Sequence, residues 1–446
     1  PVELLLLESG DQVGGVIRTE RRDGFLLEHG PDSFISEKPE GIELAKKVGL
    51  ANELIETNSR HRRSFIVRRG RLHSVPEGFQ LLAPSKLWPF ATTSIFSLRG
   101  KLRIAMEMLV SSRSTSEEED ESVAQFVRRR LGQEALERMA QPMIGGIYTG
   151  DPENLSLKAT MPRFVEMERK FGSVIKAMLN HRRATRENLN GTSGARYTLF
   201  LSFRDGMQML TEAIVSRLNP SIIRLNTRVD ALGFNSTNKL WTLELKSGGK
   251  LEADAICLAV PAYAAARLLR STDEQLAIEL ESIPYASTAT VNLGLRRSDI
   301  GHNLNGFGFV VPQIEHRKVI ACSFSSVKFA GRAPDGHVLL RAFVGGALQP
   351  EMFELDEELI AKIVCDDLAT LLQVKSAPLF VQVTKWNRSM AQYTIGHHDR
   401  VRRIDAKTDQ LSGLQLAGNA YSGAGIPDCI RSGQQAADKL LQTIDI

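Results

Sequence analysis

The chain is poor in the residues that build metal and nucleophile sites. Its four cysteines, at positions 257, 322, 365 and 429, are too far apart in sequence for a CxxC pair or a zinc-ligand spacing. They read as reduced thiols of a cytoplasmic protein. The nine histidines contain no HExxH, and the adjacent pair His397 and His398 points two ways on any regular element. No metal site is expected, nor any Ser/His/Asp set. No run of 18 apolar residues occurs, so no membrane-spanning helix is expected. Charge is nearly even, with 56 Lys and Arg against 52 Asp and Glu, which gives no case for a nucleic-acid partner. GxGxxG occurs nowhere. The opening PVELLLLESG carries no signal-peptide pattern and reads as the middle of a domain.

What is present is ordinary globular composition, 42% hydrophobic, over 446 residues, which suggests two or three lobes. Residues 2–7 read as a strand buried on both faces and 39–56 as a helix. Residues 64–75 alternate like a hairpin around Arg69 and Gly70. Helical patterns recur over 99–110, 122–140 and 160–181, with an acidic, Ser-rich loop at 111–122. A helix at 206–218 leads into strands that end at Pro261. Residues 285–350 are strand-rich, 352–373 helical and 381–386 a strand. A buried strand at 414–419 precedes the last helix, 427–442. Buried strands alternating with helices at both ends predict an α/β chain with a discontinuous dinucleotide-binding domain, made of 1–70, 196–268 and 391–446. A mostly helical insertion (71–195) and a mixed β-sheet substrate domain (269–390) complete the expected organisation.

Three segments carry chemistry. Glu8 ends the first strand, where an acidic residue accepts hydrogen bonds from a ribose. Gly14 and Gly15 follow, with Arg18, and allow close approach to a pyrophosphate. Gly30, Pro31, Asp32 and Ser33 then form a turn. Residues 251–261 form a strand ending in proline. In the third segment a strand, the glycines 418, 423 and 425, and Pro427 lead into a helix, whose free N–H groups and dipole suit an electron-rich ring or an anion.

E-x5-GG-x2-R from Glu8, EHGP at 28–31, QYTIGH at 392–397 and GNAYSGAGIPDCIRSG at 418–433 together resemble the protoporphyrinogen and coproporphyrinogen oxidases. The similarity runs along essentially the whole chain, and Asp428-Cys429-Ile430 separates it from the related amine oxidases. It implies a Rossmann-like FAD-binding fold with FAD contacts at Glu8, Ser9, Gly15, Val16, Gly30, Pro31, Asp32, Ser33, Val229, Trp386, Ile426, Pro427 and Asp428. It implies a porphyrinogen substrate oxidised in two-electron steps, with hydride passing to the flavin and O2 accepting the electrons as hydrogen peroxide, in haem synthesis. Chemistry is borne by the flavin, with no catalytic side chain. The substrate should lie against Met143, Gly146 and Phe307, and Arg63 is the candidate cation for a propionate, beside Ser64 in the family's arginine slot. Relative to the family, a strand and GxGxxG loop of about 30 residues would be expected ahead of Glu8. Peripheral membrane contact through residues 79–110 and a homodimer stay open. The rival readings are a flavin amine oxidase or carotenoid-type desaturase, and a non-enzymatic tetrapyrrole-binding protein.

Overall fold

The computed structural model describes residues 2–80, 83–84, 86–113, 119–180 and 199–443. Its largest unit is a seven-stranded mixed sheet. In spatial order the strands are Phe380–Ala391, Tyr285–Arg296, His337–Gly345, Ala321–Ser323, Gly308–Val310, Phe65–Arg68 and Arg71–Ser74. Neighbours run antiparallel except where Gly308–Val310 meets Phe65–Arg68 in parallel. The expected hairpin is present, and Arg69 and Gly70 both take positive φ, 51° and 70°, as a two-residue hairpin turn requires.

The two faces of this sheet differ in kind. Ala289, Val291, Leu293, Leu340, Ala342 and Val344 point to one face, where Ile360, Val364, Leu368 and Leu372 of the Glu357–Leu372 helix cover them. Alternation by two sends Thr288, Thr290, Asn292 and Arg341 to the opposite face, and all four are buried there. Their partners lie on the chain around residues 28–30. Thr290 Oγ1 donates to the His29 carbonyl oxygen, and Asn292 Nδ2 to that of Glu28. Arg341 Nη2 bonds the Gly30 carbonyl oxygen in the same way, while Asn292 Oδ1 and Arg341 Nε are buried without a partner among the described residues.

Parallel pairing occurs in two places. Leu6–Leu7 pairs with Ile223–Arg224, and Ile256–Leu258 pairs with Leu414–Leu416. A three-stranded antiparallel meander, Val229–Asn235, Leu240–Leu245 and Lys250–Ala253, packs with the second pair in one core around Trp241. Helix Ile426–Thr443 follows the last strand.

Two expectations are corrected. The buried strand over 2–7 is a strand only at Leu6–Leu7, and Val2, Leu4, Leu5 and Leu6 are exposed. This strand pairs on one edge alone among the described residues, so its apolar side chains lack a covering layer. The single helix over 39–56 is instead helix Glu40–Lys47, a 3-10 turn Ala51–Glu53 and strand Leu54–Glu56. Gly49 takes φ 77°, and its N–H and that of Leu50 close back on Lys46 and Ala45, which terminates the helix.

The helical lobe is built from Val123–Arg130, Gln141–Tyr148, Pro162–Phe171 and residues 174–180, around Phe126, Met139, Ile144 and Phe164. Residues 114–118 of the acidic loop, and the expected boundary at 195/196, lie outside the described residues. Among the described residues no helix is long and apolar enough to cross a membrane.

Candidate functional site

The local geometry of the expected cofactor segments brings them against one another. Glu8 follows the Leu6–Leu7 strand, and its N–H continues the ladder to the Arg224 carbonyl oxygen at 2.9 Å. Thr227 and Asn226 donate their N–H groups back to the carbonyls of Glu8 and Gly10, which sets Val229 just beyond them. Glu8 Oε1 accepts from Gly10 N at 2.6 Å and from Ser9 Oγ at 3.2 Å. Its other oxygen has no partner among the described residues.

Gly14 and Gly15 take φ 105° and 57°, so the chain turns sharply before Val16. That turn abuts Gly30. A Cβ on Gly30 would stand 1.7 Å from the Val16 carbonyl oxygen, a contact only glycine permits. Gly15, by contrast, faces open space. The two loops, distant in sequence, therefore form one glycine-lined corner.

The turn at 28–33 is held from behind by the polar face of the sheet. Trp386 Nε1 donates to the His29 carbonyl oxygen at 2.9 Å. Arg341 Nη2 donates to the Gly30 carbonyl oxygen. Lys328 Nζ reaches both Asp32 carboxylate oxygens and Ser33 Oγ at 3.0–3.1 Å, and Ser202 Oγ donates to the Asp32 carbonyl. Burial alone would raise the Asp32 pKa, but Lys328 and Arg341 outweigh it and hold it well below the usual carboxylate range. Glu28 goes the other way. Burial pushes it up to about 7, against hydrogen bonds from Met207 N and Thr19 Oγ1 and the charges of Arg332 and Arg341.

The glycine loop after Leu414–Leu416 is braced by the QYTIGH segment. Tyr393 Oη donates to the Asn419 carbonyl oxygen at 2.6 Å and accepts from Gly423 N at 2.9 Å. Its ring stacks on His397, whose Nε2 lies 2.9 Å from the Tyr421 carbonyl oxygen. Burial lowers the His397 pKa to about 4, so the imidazole is neutral and donates to that carbonyl at neutral pH. Gly423 folds directly over Asp428, and a Cβ there would meet the Asp428 Cγ at 2.3 Å. The Asp428 carboxylate is itself taken up by Lys38, at 2.6 and 2.7 Å, and by Arg431. What Ile426, Pro427 and Asp428 offer a ligand is thus the first turn of the Ile426–Thr443 helix rather than that side chain. Ile426 and Ile17 pack against the same core, which joins this loop to the Gly14 corner.

The expected substrate residues converge on a second place. Phe307 N donates to the Arg63 carbonyl oxygen, and Gly306 lies against Arg63 Cγ and the Phe65 ring. Met143 packs in the cluster that includes Val310, and a Cβ on Gly146 would meet Val310 Cγ1 at 3.3 Å. Segments from the hairpin, the helical lobe and the sheet thus meet at the strand Gly308–Val310. Arg60, Arg62 and Arg63 are exposed there and form no ion pair among the described residues.

Arg341, Lys328 and Tyr393 were not singled out in the sequence. For Arg341 a signal existed: it is the one charged residue in the apolar run HVLLRAFVG, and an arginine inside a buried strand needs a partner.

These residues suit FAD on structural grounds. A carboxylate at the end of a parallel strand, Glu8, a glycine corner without side chains and a helix N-terminus behind a glycine loop are each features that such a dinucleotide uses. The comparisons agree. Residues 1–441 match the family model described as flavin containing amine oxidoreductase. The chain is 34% identical to "Coproporphyrinogen III oxidase" of Bacillus subtilis (strain 168), covering 99% of this chain and 92% of that protein. It is 31% identical to "Protoporphyrinogen oxidase, chloroplastic" of Nicotiana tabacum, covering 98% and 81%. A crystal structure of a protein assigned as a protoporphyrinogen oxidase, from Exiguobacterium sp. 255-15, superposes with a TM-score of 0.84 at 31% identity, covering 98% of this chain and 93% of that one. The chain belongs to the flavin containing amine oxidoreductase family, within its FAD-dependent porphyrinogen oxidases.

Proposed function

We propose that the chain oxidises coproporphyrinogen III to the porphyrin in haem synthesis, with FAD as cofactor and O2 as electron acceptor. The observation that carries the choice of substrate is the set of exposed arginines Arg60, Arg62 and Arg63, without an ion pair among the described residues, on the segment whose Arg63 carbonyl oxygen binds Phe307 N. Coproporphyrinogen carries four carboxylates and protoporphyrinogen two, so a cation-rich rim favours the former. The name of the Bacillus subtilis relative supports the same choice.

FAD, when bound, supplies the hydride-accepting ring and passes the electrons on. The chain's own part is placement. Glu8 holds the ribose, with Ser9 and Val229 beside it. Gly15, Val16 and the turn at Gly30, Pro31, Asp32 and Ser33 leave room for the cofactor backbone, and Trp386 fixes that turn. Ile426, Pro427 and Asp428 present helix N–H groups. Met143, Gly146 and Phe307 enclose the macrocycle and exclude water, while Arg63 anchors a propionate. The cofactor side draws on residues 1–70, 196–268 and 391–446, with Trp386 added from the sheet, and the substrate side on 269–390 with the 71–195 lobe, with Arg63 and the strand Phe65–Arg68 added from the first segment.

We place the protein in the cytoplasm, which the four free cysteines support. Contact with a membrane surface through the helical lobe is a further part of this reading. Side-by-side kinetics test the substrate choice. Porphyrin fluorescence and peroxide are followed with each porphyrinogen. A kcat/KM at least tenfold higher for coproporphyrinogen III is expected, and a preference for protoporphyrinogen IX refutes the choice.

A further inference from the structure

Arg341 lies on the central strand His337–Gly345, opposite Asn292 of the neighbouring strand, and so on the polar face of the sheet. It is 4% exposed. Burying a guanidinium is costly, and an apolar residue in such a strand would serve packing as well or better. Yet among the described residues Arg341 makes no ion pair within 4.0 Å. Its Nη2 donates to a backbone carbonyl, that of Gly30, and its Nε has no hydrogen-bond partner. Within the sheet its guanidinium lies 4.8 Å from the centroid of the Phe343 ring, a contact that leaves Nε without a partner.

Lys328, Arg332 and Arg341 share Glu28 and Asp32 behind the 28–33 turn, and Arg332 also faces Asp205. Arg332 is spent on the carbonyls of Phe203 and Arg204 and on Ser202 Oγ, and Lys328 on Asp32. Arg341 is the member of this group that reaches the Gly30 carbonyl, at the corner where Gly30 meets Val16.

Resting on the assignment of FAD to this corner, we propose that Arg341 is a positioning residue for the flavin: it locks the Gly30 peptide and supplies the buried positive charge that favours the reduced, negatively charged cofactor. The effect acts through the turn. A positive charge in a water-poor interior lowers the free energy of a nearby anion far more than the same charge in solvent.

The test uses the full chain and two variants, Arg341→Met and Arg341→Lys. Apo-protein is titrated with FAD, and the midpoint potential of each loaded protein is measured by dye-coupled reduction. Arg341→Met is expected to weaken FAD binding roughly tenfold or more, the loss of one charge-assisted hydrogen bond, and to move the potential to more negative values. Arg341→Lys keeps the charge and loses the planar fork, so it should keep the potential while binding FAD more weakly than wild type. Wild-type affinity and potential in Arg341→Met, with only a lower melting temperature, would mean a packing role and overturn the proposal. Should that variant not fold, Arg341→Lys decides: unchanged FAD affinity overturns it and weaker binding at an unchanged potential upholds it. If the wild-type chain takes up no FAD at all, the cofactor assignment falls, and this inference with it.

Discussion

The backbone N–H of Phe307 donates to the carbonyl oxygen of Arg63 at 2.8 Å, so the residue just ahead of the strand Gly308–Val310 and one of the 59–64 loop are held together. The Arg63 side chain is then fixed at its root, and its tip forms no ion pair among the described residues. Arg63→Ala should raise KM for coproporphyrinogen III about tenfold, since a charge-assisted contact at a partly wet rim contributes about 1–3 kcal/mol. The visible flavin spectrum should not change. Steady-state kinetics with both porphyrinogens check this, and an unchanged KM would place Arg63 outside the site.

Gly30 should tolerate no side chain. Gly30→Ala sets a methyl group 1.7 Å from the Val16 carbonyl oxygen, so the two loops must part. The expected result is loss of most bound FAD and a lower melting temperature, with far-ultraviolet circular dichroism retained. Flavin content per chain after gel filtration measures it. Gly15→Ala is the control, because a Cβ at Gly15 meets nothing within 4 Å although its φ of 57° adds some strain. It should lose less flavin than Gly30→Ala.

Glu28 should make stability depend on pH near neutrality. Burial raises its pKa in the folded protein from 4.5 to about 7. The folded state therefore holds the proton more tightly, and this contribution is fully present below about pH 4.5 and lost as pH rises through 7. At 1.4 kcal/mol per pKa unit the loss is about 3 kcal/mol. Glu28→Gln keeps an acceptor for Met207 N and should flatten the melting temperature between pH 5 and 8. An equally steep profile in the variant would show that Glu28 is not the titrating group.

The helical lobe should bind anionic vesicles weakly. Leu98, Leu102, Met106 and Leu109 form an apolar stripe along one helix and its following turn, and Leu98 and Leu109 are 84% and 83% exposed. Trp88, in the 79–110 segment, is also exposed, while Phe90 and Phe96 of the same segment are buried in the lobe core. Leu81 and Leu82 of that segment lie outside the described residues. Flotation with vesicles containing anionic lipid should carry the wild type. It should not carry a Leu98→Ser, Leu102→Ser, Leu109→Ser variant. Equal flotation of both would remove the stripe from consideration.

The parts of the site that were legible in the sequence are those where geometry demands a particular residue. Gly30 and Gly423 are such positions, and so is the hairpin turn at Arg69 and Gly70. The parts that were not legible depend on distant partners. Residues 2–7 look like a buried strand because their composition is apolar, but burial is decided by what packs on them. Helix Glu40–Lys47 was read too long because Gly49 inside an apolar pattern is ambiguous until its φ is known. Arg341 and Lys328 act on a turn some 300 positions away in the chain. The polar alternation of Thr288, Thr290 and Asn292 is plain in the sequence, yet it would as readily describe a solvent-facing surface.

The Phe380–Ala391 strand carries Trp386, which pairs with Thr288 across the sheet and reaches the His29 carbonyl oxygen. The same strand continues to Ser389, whose carbonyl oxygen receives Asn419 Nδ2. Side chains alternate along a strand, so one inserted or deleted residue between Val383 and Trp386 would turn the indole to the opposite face. Insertion of one neutral residue, or loss of Thr384, alters no charge and removes no hydrophobic side chain, yet it would cut the link between sheet and turn. Length variation among homologous chains should therefore avoid this strand. It should collect instead in segments such as 235–240 and 246–249, where the meander turns back on itself in solvent.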